Sequence, residues 1–178
     1  MNFWKKPFAK IAVFDKRVKY SDQQKTFGFA TNSNLQLGWH DVDEAEKYEK
    51  NLHGRWNEAD CESSGILSHI RKCINATSWF TKKEFDGAVL NLIRPSDVHY
   101  IHEHGDLQVA LYYINRHWED GWYGETIFYD NNDQNSIVFT SPYVPGRIIL
   151  FDGSIPHAIR PQSIRAPKYR LSLSCFFK

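Results

Sequence analysis

From Phe85 onward, apolar residues tend to fall at alternate positions in short runs: GAVLNLI (87–93), QVALYYIN (108–115), GETIFYD (124–130), NSIVFT (135–140), GRIILFDG (146–153) and YRLSLSCFF (169–177). A period of two is that of a β-strand, whose successive side chains point to opposite faces. Gly, Pro, Asp and Asn separate the runs and supply the turns. Short strands at this spacing predict an all-β barrel or sandwich, of which the jelly roll is the closed two-sheet form. The chain before Phe85 reads differently. Residues from Asp41 to about His53 (DVDEAEKYEKNLH) are charged and helix-prone, and Glu62-Ser63-Ser64 opens a second helix with Ile66, Leu67, Ile70 and Ile74 at helical spacing. Nearer the start, Ile11-Ala12-Val13-Phe14 and Thr26-Phe27-Gly28-Phe29 lean towards strand and would extend a sheet. The pattern therefore predicts a mainly β fold with flanking helices in a single domain, 1–178, with strands and buttressing helices over 1–85 and the strand core over 86–178.

Composition narrows the class. A chain of 178 residues is the size of one ordinary core. Its 22 Lys and Arg balance 21 Asp and Glu, so no large field of one sign exists to hold nucleic acid or an anionic membrane. Twelve Phe, nine Tyr and six Trp will dominate the packing, with Trp56, Trp79, Phe80 and Phe85 expected in the core. Cys61, Cys73 and Cys175 form neither a CxxC pair nor an even framework, and no leader-like apolar segment follows Met1, so a reduced, cytoplasmic setting is expected. No apolar run approaches the roughly 18–20 residues that cross a bilayer.

The candidate chemistry begins with histidine density: His99, His102 and His104 stand within six residues. In an extended strand, residues i and i+2 share a face, so either His102 with His104 or His104 with Asp106 presents two ligand atoms to one metal ion. Glu103 would point to the opposite face. A third ligand must come from elsewhere, and His157 follows the strand GRIILFDG. Two histidines and a carboxylate with open positions suit non-haem Fe(II) oxygenases.

In order along the second half stand His104-Gly105-Asp106, Tyr113-Ile114-Asn115, Trp118 with Tyr123-Gly124-Glu125, Pro145-Gly146-Arg147 through Phe151-Asp152, His157, and Arg170-Leu171-Ser172. Through these pieces, from Leu90 to Phe177, the sequence resembles the 2-oxoglutarate and Fe(II)-dependent oxygenases of the prolyl 4-hydroxylase-like group. Their pattern runs H-x-D, a strand ending Y-L-N, W followed by G-G-E, P-G-R leading into F-D, a further H, and R-x-S. The pieces YY-x-N, GET-x-FYD and PHA-x-RP also look like compact members encoded by marine bacteria and their phages. The resemblance implies a double-stranded β-helix, which is the cupin-like jelly roll. It further implies a dioxygenase that hydroxylates a C–H bond of a peptidyl proline, a related residue or a small molecule. Fe(II), 2-oxoglutarate as cosubstrate and O2 are the implied cofactors, and the class admits ascorbate.

The family pattern fits in two registers. Counted from Arg94, it falls on His104 and Asp106, giving His104, Asp106 and His157 as metal and catalytic residues, and the carboxylate favours this register. Counted back from Tyr113, only six residues separate Asp106 from the tyrosine, and the pair becomes His102 and His104 with Gly105-Asp106 as a turn. For the cosubstrate, Arg170 offers a planar fork to the distal carboxylate. Alternation places Arg170, Ser172 and Ser174 on one face and the leucines on the other. Tyr113 matches the family tyrosine that reaches the same carboxylate, while Tyr112 should face away. Arg147 is expected to anchor a turn and Asp152 to cap locally.

Two other functions compete. One is a non-catalytic cupin-like or lectin-like binding module with a structural metal, against which the Arg170 and Tyr113 clamp stands. The other is a zinc hydrolase on His102, His104 and His157, for which Glu103, the nearest base, points the wrong way. The oligomeric state is not legible in the sequence.

Overall fold

The computed structural model describes residues 10–40, 42–43, 46–47, 51–95, 97, 99–167 and 169–178. In chain order the elements are β1 (Ile11–Phe14), α1 (Tyr20–Thr31), β2 (Gln36–Trp39), β3 (Asn51–Trp56), α2 (Glu58–Ser64), α3 (Leu67–Asn75), β4 (Phe85–Ile93), β5 (Gln108–Tyr113), β6 (Thr126–Asp130), β7 (Asp133–Ser141), β8 (Ile148–Asp152), β9 (His157–Ile159) and β10 (Arg170–Phe177). They form a seven-stranded sheet in the order β1-β8-β5-β10-β4-β3-β2 and a three-stranded sheet in the order β7-β6-β9. All pairings are antiparallel.

Alternation divides the large sheet into two apolar faces. Leu171, Leu173, Cys175 and Phe177 of β10 join Tyr112, Ala110, Ile148 and Leu150 against the helices. The opposite face turns Val109, Leu111, Tyr113, Ile149 and Phe151 towards the small sheet, where Phe128 of β6 meets Phe151 at 5.1 Å between ring centroids. Two antiparallel sheets packed in this way, with three helices on the outside of the larger one among the described residues, make the double-stranded β-helix. Trp56 and Phe80 lie in the core on the helix side, with Trp79 and Phe85 partly buried and packed against it.

The helices show their causes locally. Asn57 and Asp60 form a reciprocal capping box at the start of α2, and Gly65, with φ of 86°, ends it in the left-handed region. Helix α3 then buries Leu67, Ile70 and Ile74 of the expected stripe, with Cys73 beside them, but Glu62-Ser63-Ser64 does not open this helix: it closes α2 before Gly65. Two further readings of the first half need correction. Thr26–Phe29 is not a strand but the interior of α1, because the Thr26 hydroxyl bonds back to Asp22 O at 2.9 Å and across to Ser64 O at 3.0 Å, tying a buried helix face to α2. The helix expected over Asp41–His53 lies largely outside the described residues, and its last part, Asn51–His53, opens β3 instead. In β3, Leu52 pairs with Leu92 of β4, so cross-strand packing overrides the charged pattern before it.

Candidate metal and cosubstrate site

The inner face of the large sheet borders a cavity of about 50 Å³. His102, His104 and His157 meet at its wall, with one ring nitrogen from each lying within 4.8 Å of the others. Backbone pairing brings them there. His102 and His157 form an antiparallel bridge, N–H to carbonyl at 3.0 and 2.9 Å in the two directions. The His104 N–H donates to the Gly153 carbonyl at 2.7 Å, and the Gly153 N–H to the Leu107 carbonyl at 2.7 Å. Two imidazoles are oriented by their own chain: Nδ1 of His102 donates to Tyr100 O at 3.1 Å and Nδ1 of His157 to Ile155 O at 3.0 Å. With Nδ1 protonated, Nε2 carries the lone pair, which is the tautomer a metal ligand needs. Three imidazoles of this kind suit iron, zinc, copper or nickel.

Asp106 lies elsewhere. The chain turns at Gly105, with φ of 57°, and the Leu107 N–H reaches back to His104 O at 3.3 Å. That turn ends the strand alternation at His104 and leaves Asp106 exposed in the turn, outside the histidine cluster. Glu103 is exposed as well.

Arg170, at the start of β10, is 0% exposed and is the largest fully buried side chain described. An unbalanced buried guanidinium is costly, so its surroundings are informative. Its Nε donates to Gly124 O at 2.9 Å, Nη1 to Ser172 Oγ at 3.1 Å and Nη2 to Thr126 Oγ1 at 3.3 Å. Its plane lies 4.8 Å from the Tyr143 ring and 5.1 Å from the Tyr113 ring. Ser172 and Thr126 both line the cavity that holds the histidines, so the fork lies directly behind that wall, joined to it through these two hydroxyls. The Tyr113 hydroxyl donates to Thr126 Oγ1 at 2.8 Å. Ser174 shares the same wall, and Val89, Ile93, Leu111, Phe151, Ile159 and Phe176 form its apolar part.

Several residues here were not singled out in the sequence. Thr126 sits inside the GET run and contacts both Arg170 and Tyr113. Tyr143 stacks on Tyr113 at 4.3 Å, and its hydroxyl lies within hydrogen-bond distance of Asn115 and the Leu171 carbonyl. Burial pushes that hydroxyl well above its ordinary range, against the pull of Arg170, so it stays neutral. Asn115 takes the Leu171 N–H at 2.7 Å and so fixes the strand next to Arg170, a signal carried by the asparagine of the Y-x-N motif. Asn51, Asn91 and His99 add polar groups to the cavity wall. Arg147 and Asp152 do local work. Arg147 makes two hydrogen bonds to Asp15, holding that carboxyl below its usual range, and Asp152 accepts from the Ser154 hydroxyl at 2.8 Å. Tyr112 faces the helices.

Comparison with solved structures places this architecture. The chain has the fold of the 2-oxoglutarate and Fe(II)-dependent oxygenases. A 2OG-Fe(II) oxygenase family oxidoreductase from Burkholderia pseudomallei superposes with a TM-score of 0.73 at 10% identity, covering 95% of this chain and 85% of that one. A prolyl-4-hydroxylase from Pseudomonas putida gives 0.68 at 16% identity over 96% and 93%. A prolyl hydroxylase from Trichoplax adhaerens, in complex with a hypoxia inducible factor oxygen degradation domain peptide fragment, gives 0.68 at 16% identity over 94% and 83%. No family model and no curated protein sequence matches the chain. Among the described residues, no helix is long and apolar enough to cross a membrane.

Proposed function

We propose that the chain is a 2-oxoglutarate and Fe(II)-dependent dioxygenase that hydroxylates a C–H bond. His102, His104 and His157 would hold the iron, and Arg170, Ser172 and Tyr113, with Thr126, would hold the cosubstrate. The observation that carries this reading is one cavity whose wall holds three imidazoles together with Ser172 and Thr126, the two hydroxyls that accept from the buried Arg170 fork behind them. A structural metal alone calls for no such fork, which weighs against a binding module. A zinc hydrolase would leave the fork idle, and the base expected for it, Glu103, is exposed.

Each group then has a task. Iron bound there, with 2-oxoglutarate and O2, would supply the oxidising equivalents for hydroxylation and release succinate and CO2. Carbonyls at Tyr100 and Ile155 hold the protons on Nδ1 of His102 and His157 and aim Nε2 at the metal position. Arg170 supplies the positive charge that a buried carboxylate requires, and its planar fork sets the direction from which the cosubstrate reaches the histidines. Ile93, Leu111, Phe151 and Ile159 exclude water. Three neutral imidazoles leave the site one negative charge short of a set built from two histidines and a carboxylate, so 2-oxoglutarate would carry more of the charge balance.

A peptidyl proline is the first substrate to try, since prolyl hydroxylases, one of them with a peptide, share the fold. The test is anaerobic titration with Fe(II) and 2-oxoglutarate, followed by visible absorption and then by succinate release in air. A metal-to-ligand charge-transfer band and succinate, both lost in His157→Ala, are expected. A spectrum without the band overturns the reading.

A further inference from the structure

We propose that Trp118 is a positioning residue for the cosubstrate arginine: by holding the Tyr123-Gly124 turn, it sets the direction in which Arg170 presents its fork. The proposal rests on the reading of the cavity as a 2-oxoglutarate site.

Tyr123 and Gly124 both occupy the left-handed region, with φ of 60° and 80°. Glycine tolerates that conformation, but a tyrosine adopts it only when its surroundings compel it. The compelling contact is visible. Trp118 Nε1–H donates to the Tyr123 carbonyl at 2.9 Å, and the Tyr123 backbone is further pinned by a β-bridge to Gln162. The next carbonyl, that of Gly124, accepts the Arg170 Nε–H at 2.9 Å. With Nε engaged on that side, Nη1 and Nη2 are directed to Ser172 and Thr126 on the cavity wall.

Packing makes the linkage stiff. A Cβ at position 124 would lie 3.3 Å from both Arg170 Cδ and Trp118 Cζ2, so the Gly124 backbone is sandwiched between the indole and the arginine stem. The same indole lies tilted against Tyr143, ring centroids 4.4 Å apart, and Tyr143 lies under the guanidinium. Moving the indole therefore releases the turn and removes a support of the Arg170 plane in one step. Trp118 is not among the residues that line the cavity, so its influence should be felt mainly at the carboxylate end of the site.

The experiment is calorimetric titration of Mn(II)-loaded protein with 2-oxoglutarate and, separately, with 2-oxobutyrate, which keeps the 2-oxo acid head but lacks the distal carboxylate. Trp118→Phe keeps a ring and loses the N–H, so 2-oxoglutarate should bind about three- to tenfold more weakly, and Trp118→Ala about tenfold or more. Gly124→Ala, which pushes on Arg170 directly, should give the same pattern. Affinity for Mn(II) and for 2-oxobutyrate should stay within about twofold of wild type. If Trp118→Ala does not fold, Trp118→Phe and Gly124→Ala carry the test. Unchanged 2-oxoglutarate affinity in both, or an equal loss for the two oxo acids, overturns the proposal. A wild-type protein that does not bind 2-oxoglutarate overturns the dioxygenase reading and this proposal with it.

Discussion

At the scale of single residues, the proposed site turns on which side chain two positions from His104 joins it. The sequence offered His102 before it and Asp106 after it, and favoured Asp106 for its carboxylate, since alternation alone does not choose between them. The turn at Gly105, which leaves Asp106 exposed, supports His102, and Gly-Asp is a dipeptide that favours turns. Arg170, Ser172 and Ser174 were legible because β10 is regular and its polar face is continuous. Thr126 and Tyr143 were not, because their roles depend on contacts across the two sheets. Asp106→Ala should leave Mn(II) affinity and turnover within about twofold of wild type, whereas His102→Ala should lose most of both, as measured by metal titration and succinate release. Arg170→Ala should weaken 2-oxoglutarate binding about thirtyfold or more, corresponding to about 2–5 kcal/mol for a lost partner of a buried charge, while metal affinity is kept. Arg170→Lys should recover part of the loss in the same titration, because the charge returns without the two-pronged geometry.

At the scale of elements, the turn between β8 and β9 decides where His104 sits. Gly153 gives its carbonyl to His104 and its N–H to Leu107, and a Cβ there would collide with the Leu107 carbonyl oxygen. Gly153→Ala should destabilise the fold by about 1–3 kcal/mol in urea melts and weaken metal binding, although residue 153 is no ligand. The same turn is acid-sensitive. Burial alone would raise the Asp152 carboxyl, but hydrogen bonds from Ser154 and Lys10 more than offset it, so its folded pKa is depressed. Its stabilising contribution is therefore present above the ordinary carboxylate value of about 3.9 and is lost as pH falls through the folded value. The group is partly exposed, so Asp152→Asn should cost less than about 1 kcal/mol at neutral pH and nothing at acid pH, read from melts across that range. Strands with clean alternation were visible in the sequence, whereas β9, only three residues long, and α1, whose Thr26 faces inward, carried too little periodicity to be seen.

At the scale of the whole molecule, the seven-stranded sheet serves two purposes at once. One face packs on helices and builds the larger core, and the other borders the cavity with the three histidines. The division was implicit in β10, whose leucines and serines alternate. The placement of β2 and β3 on the far edge was not, because the charged run leading into β3 reads as helix. The ring orientation of His102 and His157 has a consequence for how the molecule would meet a metal. Because each imidazole is steered by a carbonyl two residues before it, the donor set is assembled by the folded chain itself and not by the ion. Metal should then behave as an ordinary ligand in linkage with unfolding, adding about 1.4 kcal/mol of stability for each tenfold rise in free concentration above its dissociation constant. A chelator should lower the melting temperature by that increment and leave the circular dichroism spectrum of the native protein unchanged, whereas collapse of the spectrum would mean that the ion builds the fold.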